Sequence, residues 1–82
     1  MNTKTTPDER FIIALYQTAK AQGDLEATLD PAPIGKGLGI KDTALKIVLK
    51  NLAQANFIKK AEDNMVYLTK RGCSFVENEL GI

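Results

Sequence analysis

Apolar residues recur at helical spacing in the first third of the chain. One stripe of the predicted helix is formed by Phe11, Ile12, Leu15, Thr18 and Ala19. Thr6 and Glu9 have the spacing of a capping box, and Pro7 suits the first helical position because an N–H there would have no partner. Gly23 is a stop signal. The pattern therefore predicts a first helix over residues 7–22.

A second stretch, residues 30–56, has the pattern of two helices joined by a turn. Asp30 is a candidate N-cap for the first of them. Gly39 suits a left-handed residue just after that helix, and Asp42 is expected to cap the next one. The second helix, over 42–55, has one apolar face, formed by Leu45, Val48, Leu49, Leu52 and Ala55. This arrangement predicts a helix-turn-helix.

The pattern changes to that of strands after the second helix. Two short apolar runs separated by Glu62-Asp63-Asn64 predict a β-hairpin over residues 57–68, because the Asp-Asn pair tolerates positive φ in a tight turn. Thr69 is then expected to cap a final helix over 69–80. The connector over 23–29 alternates apolar and polar residues, which is typical of a short edge strand.

This order of elements resembles the winged helix domains of MarR- and PadR-type regulators. The likeness rests on a small residue, Gly35, four positions before Gly39 in the turn. It rests also on a hairpin that closes on a Leu-Thr-x-x-Gly segment at residues 68–72. In total it covers residues 10–80.

The resemblance implies an α+β, mainly helical fold: a three-helix core containing the helix-turn-helix, a hairpin wing and a C-terminal helix. It implies a single winged helix domain over residues 7–82, preceded by a flexible N-terminus at 1–6. The function that it implies is sequence-specific binding of double-stranded DNA by a transcriptional regulator.

The formal net charge of +1 conceals an uneven distribution along the chain. Residues 1–40 carry four basic and five acidic side chains, a balance of −1. Residues 41–71 carry seven basic and three acidic ones, a balance of +4, and residues 72–82 carry two acidic ones. Positive charge is therefore concentrated on the second helix of the motif and on the segment after it, where it favours the binding of phosphate groups.

Charge and resemblance together select the residues expected to contact DNA. The helix over 42–55 is expected in the major groove, where lysines bind phosphates or guanine edges, and Thr43 and Gln54 hydrogen-bond to bases. Basic residues at the root of the wing and at the start of the last helix would grip the backbone. The complete set is Lys41, Thr43, Lys46, Ile47, Lys50, Gln54, Lys59, Lys60, Lys70 and Arg71.

Two features leave other interpretations open. Ile47 is apolar at the centre of the exposed face, where it can meet a thymine methyl group, a protein partner or the underside of the wing. Glu62 and Asp63 at the predicted wing tip repel phosphate, which argues against insertion of the tip into the minor groove. The alternative hypothesis is a winged helix adaptor for protein–protein contact that does not bind DNA. A third hypothesis is an RNA-binding module.

Ile13 and Tyr16 extend the apolar surface of the first helix to a second face. A helix that is apolar on two faces is either buried in its own domain or shared with a neighbour. Small helix-turn-helix modules commonly pair to match two-fold DNA sites. We therefore expect a homodimer through the first and last helices.

The composition leaves little room for catalysis or cofactors. The chain has no histidine and one cysteine, which excludes a Cys/His metal site and an internal disulfide. No nucleophile has an evident base beside it, and the glycines at 35, 37 and 39 lack the spacing of a phosphate-binding loop. We expect no enzymatic activity, no cofactor and no metal. Cys73 is expected to be a half-buried small hydrophobe, although Lys70 and Arg71 could lower its pKa enough for redox sensing.

No apolar run approaches the roughly 20 residues of a membrane-spanning helix. The N-terminus lacks the basic and apolar regions of a signal peptide. The sequence therefore predicts a cytoplasmic protein without membrane contact.

Overall fold

The described residues of the computed structural model, 6–81, form an α+β fold that is mainly helical. The elements in chain order are α1 (Pro7–Ala21), α2 (Pro31–Gly37), α3 (Asp42–Gln54), β1 (Ile58–Lys60), β2 (Val66–Leu68) and α4 (Lys70–Ser74). A π-helical segment, Phe75–Glu79, continues α4. The predicted α+β class and order of elements are confirmed. The flexible N-terminus predicted for residues 1–6 lies outside the described residues except for Thr6, which caps α1.

α1 begins with the predicted capping box. Thr6 Oγ1 accepts a hydrogen bond from the Glu9 amide at 3.1 Å, and Glu9 Oε1 accepts one from the Thr6 amide at 3.2 Å. These bonds satisfy amide groups that have no partner within the helix. The helix ends before Gly23, which adopts a left-handed conformation with φ 82°. The predicted helix over 7–22 is confirmed to within one residue.

The turn between α2 and α3 has the geometry expected of a glycine just after a helix. Gly39 adopts φ 76°, and its amide donates to the Lys36 carbonyl at 3.1 Å. The Ile40 amide donates to the Gly35 carbonyl at 2.9 Å. Because these are the two hydrogen bonds of a Schellman motif, the chain can reverse while the last carbonyls of α2 stay paired.

The two aspartates predicted to cap α2 and α3 differ in outcome. Asp30 caps α2, since its side chain accepts from the Ala32 amide at 3.0 Å. The prediction that Asp42 caps α3 is wrong. Lys41 holds the N-cap position without a side-chain hydrogen bond, and Asp42 is already the first helical residue. A carboxylate at that place is favoured by the helix dipole instead.

β1 and β2 form the predicted antiparallel hairpin, in the register Ile58↔Leu68, Lys59↔Tyr67 and Lys60↔Val66. At its tip, Asp63 and Asn64 adopt positive φ values of 59° and 61°, as their residue types predict. The connector adds a single bridge, in which Leu29 and Val66 exchange hydrogen bonds of 2.7 and 2.9 Å. The edge strand expected over 23–29 is therefore reduced to one residue.

The core is built around α1, which packs against α2, α3 and the Phe75–Glu79 segment. Its buried apolar side chains are Phe11, Ile12, Leu15, Tyr16, Ala19, Leu29, Leu45, Val48, Leu52, Ile58, Val66, Leu68 and Val76. The apolar stripe predicted for α1 and the apolar face predicted for α3 both turn toward this core. Thr18, Leu49 and Ala55 lie half-buried at its margin.

Tyr16 belongs to the core of its own domain, so it is not available to the dimer face that was predicted from Ile13 and Tyr16. Its side chain is 4% exposed, and its hydroxyl donates to Glu77 Oε2 at 2.7 Å. The Phe75–Glu79 segment covers this side of α1. Because Tyr16 and Glu77 are 61 residues apart, helical periodicity cannot reveal the contact. Ile13 remains half-buried.

Cys73 is half-buried against the core, as expected of a small hydrophobe. Burial raises the pKa of its thiol, and the negative charges of Glu77 and Glu26 raise it further. The alternative interpretation, in which Lys70 and Arg71 lower this pKa, is not supported, because burial and the two carboxylates raise it. A raised pKa keeps the thiol protonated and weakly nucleophilic.

Alkaline pH is expected to destabilise the fold through Tyr16. The hydrogen bond to Glu77, followed by burial and by the charge of Glu77, raises the pKa of the Tyr16 phenol above its ordinary value of 10.0. The unfolded chain then loses the phenolic proton at lower pH than the folded chain, so stability falls as the pH rises through the interval between the two pKa values. Urea unfolding on both sides of this interval should show a larger fall for the wild-type protein than for Tyr16→Phe. An equal fall in both proteins would contradict this role of Tyr16.

Candidate nucleic-acid interface

An open groove of about 740 Å³ runs between α3 and the β1–β2 hairpin. We call it the α3–hairpin groove, and it is lined by Pro31, Lys46, Leu49, Lys50, Ala53, Gln54, Lys60, Asn64 and Val66. Four of the ten residues predicted to contact DNA meet here: Lys46, Lys50, Gln54 and Lys60.

Helical spacing explains why α3 supplies three of these side chains. Lys46, Lys50 and Gln54 are four residues apart, so they follow one another along one edge of the helix. All three are exposed. The edge of α3 that faces the hairpin is therefore polar and cationic over two successive turns.

Strand alternation separates the two lysines of β1. The prediction that both lie at the root of the wing is wrong, because the root pair is Ile58↔Leu68 and Lys60 is the last strand residue before the tip. Lys60 pairs with Val66, and both residues line the α3–hairpin groove. Lys59 pairs with Tyr67, one position along, so its side chain leaves the opposite face of the hairpin. Only Lys60 joins the lysines of α3.

The groove has an apolar floor and a positively charged rim. Leu49, Ala53 and Val66 form the floor, and Val66 is 1% exposed. Among the described residues that line the groove, none is acidic. Three lysines without a compensating carboxylate in the same groove produce a positive potential that attracts phosphate.

The outer face of α3 carries the residues predicted to contact bases. Thr43 and Ile47 lie one turn apart on the side of the helix opposite to Leu45 and Leu52. Ile47 is 56% exposed and takes no part in the core or in the α3–hairpin groove. The interpretation in which Ile47 packs under the hairpin is therefore wrong.

Lys41 lies apart from the other predicted contacts of the helix-turn-helix stretch. It borders a second concavity at the start of α3, together with Lys36, Asp30 and Asp42. Because this concavity mixes both signs of charge, it attracts phosphate less strongly than the α3–hairpin groove.

The basic pair at the start of α4 also lies outside the groove. Arg71 borders a third concavity beside the stacked rings of Phe57 and Phe75, whose centroids are 4.3 Å apart. Lys70 is exposed in the first turn of α4. The structure thus groups the α3 lysines with Lys60 and leaves this pair on another surface.

The contacts that hold α3 in place were not visible in the sequence. Arg10 Nη2 donates to the Leu38 carbonyl at 2.9 Å, which ties α1 to the turn before α3. Asn51 Nδ2 donates to Asp8 Oδ2 at 3.3 Å, which ties α1 to α3 itself. The partners are 28 and 43 residues apart, so no local pattern signals them.

Comparisons of the chain with protein-family models, with curated proteins and with solved structures yield no match. Within residues 6–81, none of the helices combines the length and apolar composition that a membrane span requires. The same part of the chain holds no group of three or more His, Cys, Asp or Glu side chains arranged to hold a metal ion.

Proposed function

We propose that the protein is a winged helix protein that binds double-stranded DNA and regulates transcription. The supporting observation is the convergence of Lys46, Lys50 and Lys60 on one groove beside an exposed helix face. Phosphate contacts from such lysines supply most of the nonspecific affinity for a duplex. In this proposal α2, the glycine turn and α3 are the helix-turn-helix, and the β1–β2 hairpin is the wing.

α3 is proposed to enter the major groove with its outer face toward the base pairs. An α-helix with its side chains is about 10–12 Å across, and the major groove is about 12 Å wide. Lys46 and Lys50 would bind phosphates along one strand, since both lie on the edge of α3 that faces the hairpin. Thr43 and Gln54 would donate and accept hydrogen bonds at base edges.

The wing is proposed to hold the DNA backbone with Lys60 and to keep its acidic residues away from it. Lys60 is the last residue of β1, next to the tip, and lines the α3–hairpin groove, whereas Glu62 and Asp63 are exposed at the tip and do not line it. Carboxylates at the tip repel phosphate, so insertion of the tip into the minor groove is disfavoured. Lys59 lies on the opposite face of the hairpin and is expected to contribute little.

Reversing two charges on α3 is the test of this proposal. The double variant Lys46→Glu, Lys50→Glu should bind duplex DNA at least roughly 100-fold more weakly, because two attractive phosphate contacts become repulsive. The dependence of log K on log salt concentration should also lose about two units of slope. Fluorescence anisotropy with a labelled duplex, titrated at several salt concentrations, measures both quantities.

The matched control is Lys20→Glu, Lys36→Glu, which changes the net charge equally. Both lysines are exposed and lie outside the α3–hairpin groove, on α1 and α2. Only the long-range part of the attraction should be lost in this variant. Equal losses in the two double variants would overturn the assignment of α3 to the DNA.

A protein–protein adaptor is the second candidate, and the exposure of Ile47 favours it. A large apolar side chain that is 56% exposed is suited to burial against a partner. The adaptor hypothesis would be favoured if the protein does not bind duplex DNA at low salt and a bound protein partner covers Ile47. Competition between duplex DNA and duplex RNA tests the third possibility, since the narrow major groove of RNA does not admit a helix.

A further inference from the structure

Ile47 is the one large apolar side chain that is exposed among the described residues. It lies at the centre of the outer face of α3, with Thr43 and Lys50 one turn away on one side and Ala44 and Asn51 on the other. All four of these neighbours are exposed. Any partner that binds the centre of the outer face of α3 must therefore contact Ile47.

The charge around Ile47 is one-sided. On the side of the α3–hairpin groove lie Lys46 and Lys50. On the other side lie Ala44 and Asn51, and Asn51 is hydrogen-bonded to Asp8 of α1. A phosphate backbone is therefore drawn to the groove side. The side chain of Ile47 then projects from the middle of α3 toward base edges rather than toward phosphates.

Base edges in the major groove present one apolar feature, the methyl group at C5 of a pyrimidine. Thymine carries it in ordinary DNA, and 5-methylcytosine places the same group at the same position. We infer that Ile47 is a specificity-determining residue that packs against a pyrimidine C5-methyl group in the bound duplex. This inference rests on the proposed function, in which α3 enters the major groove.

The expected effect follows from the area that one methyl group removes from water. Burial of one methyl-sized group changes an equilibrium by about fourfold. Lysines at the rim add affinity that does not depend on that methyl group. Ile47 should therefore control the difference in affinity between DNA sequences, while Lys50 should contribute to the affinity for every DNA sequence.

The test uses a duplex selected from a random-sequence library by the wild-type protein, with each thymine replaced in turn by deoxyuridine. For the wild-type protein, at least one replacement should weaken binding by about fourfold. Ile47→Ala should bind the thymine duplex more weakly and be insensitive to that replacement. Lys50→Ala should bind more weakly but keep the full sensitivity. Because Ile47 is exposed, Ile47→Ala should leave the fold intact, and its thermal unfolding midpoint should equal that of the wild type.

A further arm distinguishes the two sources of the methyl group. At the sensitive position, thymine is replaced by cytosine in one duplex and by 5-methylcytosine in another. If methylation of cytosine raises the affinity by a larger factor than thymine does over uracil, methylated DNA is the preferred target. The inference is overturned if Ile47→Ala loses as much affinity as the wild type when thymine is replaced by deoxyuridine. It is also overturned if no selected duplex has a sensitive position. Both results leave the proposed DNA binding intact. Failure of the wild-type protein to enrich any duplex overturns the proposed function and this inference with it.

Discussion

Alanine in place of Gly72 is expected to lower the free energy of unfolding by about 3 kcal/mol, the upper part of the range for overpacking. A Cβ atom on Gly72 would overlap the carbonyl oxygen of Phe57 and lie 3.1 Å from Leu68 Cδ2. The carbonyl cannot move aside at low cost, because it accepts a hydrogen bond from the Thr69 amide at 3.1 Å. Urea unfolding followed by circular dichroism measures the change.

Gly37→Ala is the matched control for this substitution. Gly37 also lies in a helix, but a Cβ there would have no neighbouring heavy atom within 4 Å. Alanine should therefore raise the free energy of unfolding by about 0.5–1 kcal/mol, since it restricts the unfolded chain without strain. A Gly72→Ala protein as stable as the wild type would contradict the close approach of α4 to Phe57.

This contact explains the Leu-Thr-x-x-Gly segment in physical terms. Thr69 Oγ1 accepts from the Gly72 amide at 3.0 Å and donates to the Asn56 carbonyl. Leu68 is buried at the end of β2, and Gly72 lets α4 lie against the backbone of Phe57. One short segment thus joins the end of α3, the hairpin and α4. It fixes the hairpin beside α3, and the α3–hairpin groove depends on that placement.

Helix boundaries and turns were predictable because the interactions that set them are local. The capping bonds of Thr6, Asp30 and Thr69 each join residues two or three positions apart. Gly39 needs only its own positive φ. Residue type and spacing therefore determine these features before any tertiary contact forms.

Features that depend on long-range packing were missed or wrongly predicted. Periodicity left open whether the face of α1 at Tyr16 is buried in its own domain or shared with a neighbour, because nothing in α1 indicates that the Phe75–Glu79 segment packs against it. Asp42 is a separate case, because it satisfies the residue preference of an N-cap but Lys41 holds that position and Asp42 is the first helical residue.

The candidate site shows the same division. The spacing of Lys46, Lys50 and Gln54 placed them on the face of α3 away from the core, and in the structure all three are exposed and line one groove. The sequence did not separate Lys59 from Lys60, because the strand register that places them on opposite faces of the hairpin was not known. No sequence pattern predicted the apolar floor of the groove, since β2 must first pack beside α3 to form it.

Alanine in place of Phe11 is expected to remove about 3–5 kcal/mol of stability, the cost of deleting a fully buried aromatic ring. Phe11 is completely buried in α1. A domain of 82 residues has a total stability of about 4–12 kcal/mol. The loss is a large share of that stability, so the urea midpoint of Phe11→Ala should fall far below that of the wild type, as equilibrium urea unfolding would show. Ile13→Ala, half-buried on the same helix, should cost less than about 1 kcal/mol.

Substitutions at Phe11 and Ile13 also test the homodimer that the sequence predicts. With Tyr16 buried in its own domain, Ile13 is what remains of the apolar face that was predicted to pair two copies through α1. If α1 pairs two copies, the Tm of the wild-type protein rises with protein concentration, because association stabilises the folded state by mass action. Ile13→Glu should abolish that dependence, whereas Phe11→Ala should lower Tm at every concentration. A wild-type Tm that does not change with concentration would exclude α1 as the dimer face, and any match to a two-fold DNA site would then require another surface.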